Sequence, residues 1–126
     1  MKSYRTERAR VTGLGSAKSG TSHFWEQRIS AIAMVILTPL FVFPLAYNLG
    51  DSFDNVRAAY AHPVNAIIAI AFIITAFLHL FQGLSVVIED YVHSRWETVL
   101  IIAARLLCSL LALTGIFAIL KIAFTG

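Results

Sequence analysis

Three long apolar blocks leave this chain few ways to fold. They occupy residues 29–49, 63–88 and 99–124. Each holds about 20 residues or more, enough for a helix rising 1.5 Å per residue to cross a hydrocarbon core of about 30 Å. The first two contain no Asp, Glu, Lys or Arg. Inside lipid a backbone must satisfy its own hydrogen bonds, so such segments are helices. A soluble bundle would need polar helix faces to meet water, and these blocks have none. At 126 residues the chain has no room for a second domain. The expected fold is an all-α membrane protein. Residues 1–28 form a basic tail, and residues 29–126 form a three-helix membrane unit with short connections at 50–62 and 89–98.

Composition excludes the other broad classes. Charged residues make up 13% of the chain and hydrophobic ones 58%, against about 25% and 45–50% in soluble domains. The net charge of +3 does not indicate a nucleic-acid module, because six of the ten Lys and Arg lie in the first 28 residues. The single cysteine, Cys108, can form no intramolecular disulfide, and no CxxC is present for zinc or an iron–sulfur cluster. Cys108 reads as a small packing residue. Pro39 and Pro44 each remove a backbone donor inside the first span and predict a kink there. Pro63 opens the second span, where a helix tolerates proline best. The tail is basic and acid-poor, as transit peptides are. Its lack of a small-residue cleavage site ahead of a short apolar run argues against a secretory signal, and it reads as a polar segment on the membrane surface.

Positive charge sets the expected orientation. Lys2, Arg5, Arg8, Arg10, Lys18 and Arg28 in the tail join Arg95 in the second connection, so one side holds seven. Arg57 and Lys121 lie on the other. Arg105, about two turns into the third span, is expected to snorkel toward the connection at 89–98. The tail and that connection therefore face the cytoplasm. Trp25 and Trp96 fall at the inner boundary, where indoles favour the interface.

His79 needs a reason for being inside a span. Asp90 lies eleven residues on, within about 20° of the same helix face and about 16 Å along the axis. Gly83, one turn from His79, leaves backbone open to a flat object. Imidazole is a usual axial ligand of haem iron, so His79 can be read as such a ligand. It can equally be a histidine hydrogen-bonded across a helix interface, with Gly83 as a packing residue. His23, His62 and His93 sit at span ends or in connections, so a second axial ligand would come from another chain. Arg28 can pair with a carboxylate such as a haem propionate, or simply anchor the positive side. Asp90 and Tyr91 can be functional or a solvated helix end.

The run His79-Leu80-Phe81-Gln82-Gly83-Leu84-Ser85-Val86-Val87-Ile88-Glu89-Asp90-Tyr91 resembles the H-x₁₀-D-Y pattern of the cytochrome b-type hydrophobic membrane anchor of succinate dehydrogenase (complex II). That family has three spans, a basic tail and this motif on the second span. A second stretch, Gly20-Thr21-Ser22-His23-Phe24-Trp25-Glu26-Gln27-Arg28-Ile29-Ser30-Ala31, is similar to the family's approach to span one, G-x-x-[HD]-[FHW]-x-x-x-R-x-[ST]-A. The resemblance covers nearly the whole chain.

The resemblance implies half of a six-helix anchor. Its partners would be a second three-helix anchor, the cytochrome b anchor subunit, and a flavoprotein and an iron–sulfur protein docked on the inner face. It also implies haem b between the two anchors with His79 as one axial ligand and a histidine of the partner anchor as the other. Gly83, Arg28 and His23 would lie near the haem. Ubiquinone would be reduced near the inner interface, with Tyr91 donating a hydrogen bond to a quinone carbonyl and Asp90 beside it. Succinate oxidation and the clusters would lie in the other subunits. The expected location is a bacterial plasma membrane, with the mitochondrial inner membrane as the alternative. A competing reading is a small ion or proton transporter or channel component that uses His79 and Asp90 as a path. A third is an assembly protein without a cofactor.

Overall fold

The structure, a computed structural model, describes residues 6–12 and 20–125. Lys2, Arg5, Lys18 and most of the Gly- and Ser-containing stretch at 13–20 lie outside them. Five helices follow in order: α1 Glu7–Thr12, α2 Gly20–Tyr47, α3 Phe53–Ala61, α4 Pro63–Tyr91 and α5 Arg95–Thr125. The described residues contain no strand. Helices α2, α4 and α5 are long and apolar enough to cross a membrane. The 29 residues of α4 span about 43 Å, some 13 Å more than the hydrocarbon core. Each spanning helix therefore outruns its apolar block and reaches into the headgroup region. This is why α2 starts at Gly20 rather than at residue 29, and why only Val92, His93 and Ser94 separate α4 from α5.

Helix α2 remains α-helical through Pro39 and Pro44. It ends where Gly50 takes φ of 87°, a left-handed conformation that costs glycine little. The first connection holds a helix, α3, that its polar composition concealed. Ser52 caps it: its hydroxyl accepts from the Asn55 N–H at 3.3 Å. Asp51 accepts from the Ser52 N–H and from the Asn55 side chain, both at 2.8 Å. The Asn55 bond first, then the Ser52 bond, holds the Asp51 carboxyl below the ordinary carboxylate range. At the far end His62 is extended, because a residue preceding proline is kept out of the α region. Pro63 then opens α4.

A depressed carboxylate stabilises the folded turn above its unfolded pKa. That contribution disappears as pH falls through the lower folded value. Amide exchange at Ser52 and Asn55, corrected for its intrinsic pH dependence, should therefore accelerate on acidification through that range. Asp51→Asn should abolish the acceleration; an equal acid response in the variant contradicts this account of the cap.

Helix α4 is the middle element and packs against both α2 and α5. The contacts show antiparallel neighbours. Ser30 meets His79 while Phe41 stacks on Phe72, ring centroids 4.4 Å apart. Arg105 lies over Phe81, and a Cβ on Gly115 would meet Ile73 Cδ1 at 3.2 Å. Small residues line these seams: Ala66, Ala69, Ser85 and Cys108 are buried. Packing between helices in lipid rests on such close approach. Outward faces are apolar, with Val35 75%, Phe43 72% and Phe117 68% exposed. Such surface is costly in water and at home among acyl chains, as expected for a multi-pass membrane protein.

One end of the bundle gathers the start of α2, the end of α4 and the start of α5. The other end gathers α3 and the C-terminal turn of α5, where the Arg57 guanidinium donates to the Thr125 carbonyl at 2.7 Å.

Candidate functional site

His79 lies close to the middle of α4, half-buried, on the face turned to α2. Its Nδ1 is 2.9 Å from the Ser30 hydroxyl. That hydroxyl is also 2.8 Å from Gln82 Oε1 and 2.9 Å from the Gln27 carbonyl. Gln82 is three residues after His79, so both side chains reach the same point on α2. A polar knot thus joins the middle of α4 to α2 just inside the start of its apolar block, within about a turn of Glu26 and Arg28.

Residue type and spacing alone point to His79 but miss Ser30 and Gln82. Gln82 carries no charge and so gives no signal against its apolar neighbours. Ser30 is visible only as the Ser/Thr position in the approach to span one. Its pairing with His79 across 49 residues of sequence follows from how α2 and α4 pack.

The interhelical hydrogen bond uses only one ring nitrogen. Gly83 is about 40° round the helix from His79, and a Cβ there would meet nothing within 4 Å. Within this chain Gly83 is therefore no packing residue, in contrast to Gly115 against Ile73. His79 has an open backbone surface one turn away, suited to a flat group entering from outside the chain.

The remaining residues separate into two sets. His23 lies seven residues before Ser30, within about 20° of the same face of α2 and about 10 Å nearer the tail end. Asp90 returns to within about 20° of His79, since α4 is an unbroken helix to Tyr91. His23, Ser30, His79 and Asp90 thus follow one α2–α4 seam. Arg28 is two residues before Ser30 and about 160° round from it, turned from α4. It is exposed, with its guanidinium 4.3 Å from the Phe24 ring centroid, a cation–π contact. Tyr91 is about 120° round from His79 and 83% exposed. The two do not share a face, and the chain alone does not bring Tyr91 or Arg28 to His79.

Arg105 sits about 15 Å from the start of α5, with its guanidinium 5.4 Å from the Phe81 ring centroid. It lines an apolar groove of 180 Å³ between α4 and α5 that also includes Cys108. A second groove, of 420 Å³, runs between α2 and α4 and is lined by Ser30, Gln82 and Glu26 among others. Among the described residues no group of three or more His, Cys, Asp or Glu could hold a metal ion. His79 is a single donor.

The family of succinate dehydrogenase/fumarate reductase transmembrane subunits matches residues 2–117. The chain belongs to that family. It is 39% identical to the succinate dehydrogenase hydrophobic membrane anchor subunit of Paracoccus denitrificans, over 70% of this chain and 68% of that one. It is 32% identical to the protein of the same name from Rickettsia bellii, over 92% and 94%. The succinate dehydrogenase membrane anchor subunit of Reclinomonas americana is 30% identical over 62% and 68%. No solved structure gives a significant match. The family fits the reading of the chain as a membrane anchor of succinate dehydrogenase, not that of an ion or proton transporter or channel component. It makes the chain a membrane component of an enzyme complex, with other subunits as its partners.

Proposed function

We propose that this chain is the succinate dehydrogenase membrane anchor that holds one side of a b-type haem and part of a quinone-reduction site. The observation that carries the proposal is His79: mid-span, half-buried, tied through Nδ1 to Ser30, beside the open backbone at Gly83. A neutral imidazole engaged at Nδ1 can present its Nε2 lone pair to iron. Gly83 offers the clearance a macrocycle edge needs. This donor would fit haem iron on one side, and the partner cytochrome b anchor would supply a further ligand. When bound, the haem supplies a one-electron store within the membrane.

The other roles follow from position. Tyr91 ends α4 with its side chain exposed at the bundle end shared by Trp96 and the start of α2. A phenol there can donate to a ubiquinone carbonyl oxygen as negative charge builds on it, which is electrostatic stabilisation. Asp90 adjoins it and can relay protons from water. Arg28 and His23 lie near the same end. Arg28 faces away from α4, so it serves a propionate or quinone only across the interface with another protein of the complex. We assign succinate oxidation and the clusters to the flavoprotein and iron–sulfur subunits, docked on the face that Tyr91 occupies.

The orientation we infer puts residues 1–28 and the turn at 92–94 in the cytoplasm of a bacterium, as the seven-to-two distribution of Lys and Arg favours. A reporter fused after Gly126 should read outside, and one inserted at Ser94 should read inside. Opposite readings would move Tyr91 away from the iron–sulfur partner and defeat the quinone assignment. The cofactor assignment is tested by the visible spectrum of the purified membrane complex. A low-spin b-type signal stoichiometric with flavin is expected; a complex lacking that signal contradicts it.

A further inference from the structure

Ser30 has one proton to give and two lone pairs to receive with, yet three groups lie within hydrogen-bond distance. The Gln27 carbonyl at 2.9 Å can only accept. Gln82 at 2.8 Å presents either its amide oxygen or, after a half-turn of the amide, its NH₂. His79 Nδ1 at 2.9 Å donates or accepts according to which ring nitrogen carries the proton. The arrangement that satisfies all three sends the Ser30 proton to Gln27 and lets the Gln82 amide and the His79 Nδ1–H both donate to Oγ. If the Ser30 proton goes to Gln82 Oε1 instead, His79 Nδ1–H still donates. Only the arrangement that sends the Ser30 proton to Nδ1 places the other proton on Nε2, and it takes away the lone pair that iron ligation needs.

Resting on the haem reading above, we propose that Ser30 is a positioning residue for the haem ligand. By accepting the His79 Nδ1–H, and held in place by Gln27 and Gln82, its hydroxyl selects the tautomer with the Nε2 lone pair and fixes the ring's rotation about the side chain. A ligating histidine usually donates its second ring N–H to an acceptor that orients the ring and raises its basicity. A hydroxyl on the neighbouring helix performs that task here. The geometry also makes the α2–α4 contact part of the cofactor site: any shift of α2 along α4 moves the acceptor away from the ring. Gln82 steadies the hydroxyl rather than the ring, so it acts one step further from the iron.

The test uses the intact, purified complex carrying Ser30→Ala, Ser30→Thr or Gln82→Leu. The readouts are the haem-to-flavin ratio, the haem reduction potential, the low-spin electron paramagnetic resonance signal and carbon monoxide binding by the reduced haem. Ser30→Ala removes the acceptor and weakens electron donation by the imidazole. The ferric state loses more from this than the ferrous, so the potential should rise and the low-spin signal should move. Ser30→Thr keeps a hydroxyl and should restore both toward the parent. Gln82→Leu should shift them in the same direction by less.

If Ser30→Ala assembles so poorly that haem is lost, retention of haem by Ser30→Thr still supports the proposal, and equal loss in both overturns it. A Ser30→Ala complex with full haem, unchanged potential, unchanged signal and no carbon monoxide binding also overturns it. That outcome leaves His79 ligation intact. Failure of the haem reading itself would instead appear as a parent complex with no b-type signal, or as one whose signal survives His79→Ala.

Discussion

Replacing His79 with alanine is expected to strip the low-spin b-type signal from the complex. The imidazole sits mid-span with Nδ1 bound to Ser30, and alanine removes both the proposed iron ligand and the interhelical bond. The large-to-small change at this half-buried position should cost less than the about 2–5 kcal/mol of a fully buried one in soluble cores. The bundle should survive that loss, because the Phe41–Phe72 stack and the Gly115–Ile73 contact lie elsewhere along α4. The haem-to-flavin ratio should fall to near zero, or the residual haem should become five-coordinate and bind carbon monoxide. Succinate–quinone reductase activity should fall less than the haem does if electrons pass to quinone directly from the iron–sulfur protein. An unaltered b-type spectrum in His79→Ala would remove the ligand assignment.

Tyr91→Phe is expected to do the reverse. It deletes one hydroxyl at the end of α4, twelve residues and about 18 Å along the axis from His79. Tyr91 is 83% exposed and about a third of a turn away from the His79 face, so haem content and assembly should stay near the parent values. Quinone reductase activity should drop about ten- to a hundredfold. Loss of one preorganised donor to a developing oxyanion costs about 10²–10³ in rate in enclosed sites, and less where water can substitute. Reduction of an artificial dye by the flavoprotein should persist, since that reaction needs no quinone site. Quinone-to-dye and haem-to-flavin ratios, measured in both variants, separate the middle of α4 from its interface end. A Tyr91→Phe complex that loses haem while keeping full quinone activity would reverse the roles assigned here.

The two variants should differ because His79 lies near the middle of α4, at membrane depth, and Tyr91 at its interface end. Asp90 follows the same face as His79 and belongs to the α2–α4 seam, whereas Tyr91 leaves it. On the proposed reading, a proton delivered at the interface need not pass His79, and the two proposed roles occupy separate positions on one helix.

Much of this is legible without any knowledge of the fold. Three blocks of sufficient length and apolarity demand three helices, because lipid offers the backbone no other partners. Uneven placement of Lys and Arg implies an orientation, and the spacing of His79, Gly83 and Asp90 on one helix face follows from a fixed 100° step. The polar connection at 50–62 conceals α3, because Asp51, Asp54 and Asn55 interrupt the apolar pattern, while Asp51 and Asn55 in fact hold the cap at Ser52. The end of α4 at Tyr91 and the three-residue turn after it are also hidden. Hydropathy marks where lipid ends, not where a helix ends.

Only the tertiary structure decided what His79 touches. Local periodicity reports positions along one helix, and it contains no information on which residue of another helix lies opposite. Ser30 is separated from His79 by 49 residues, and the two meet because α2 and α4 pack antiparallel in the register that also stacks Phe41 on Phe72. Packing likewise leaves Gly83 against open space and sets Gly115 of α5 against Ile73 of α4, two glycines that the sequence alone cannot tell apart. The number of spans, their identity as helices and the face shared by His79 and Asp90 were settled by sequence, through length, polarity and the helical step. The partner of His79, the divergence of Tyr91 and Arg28 from it, and the helix in the first connection were settled by packing, because each depends on where a second segment comes to rest.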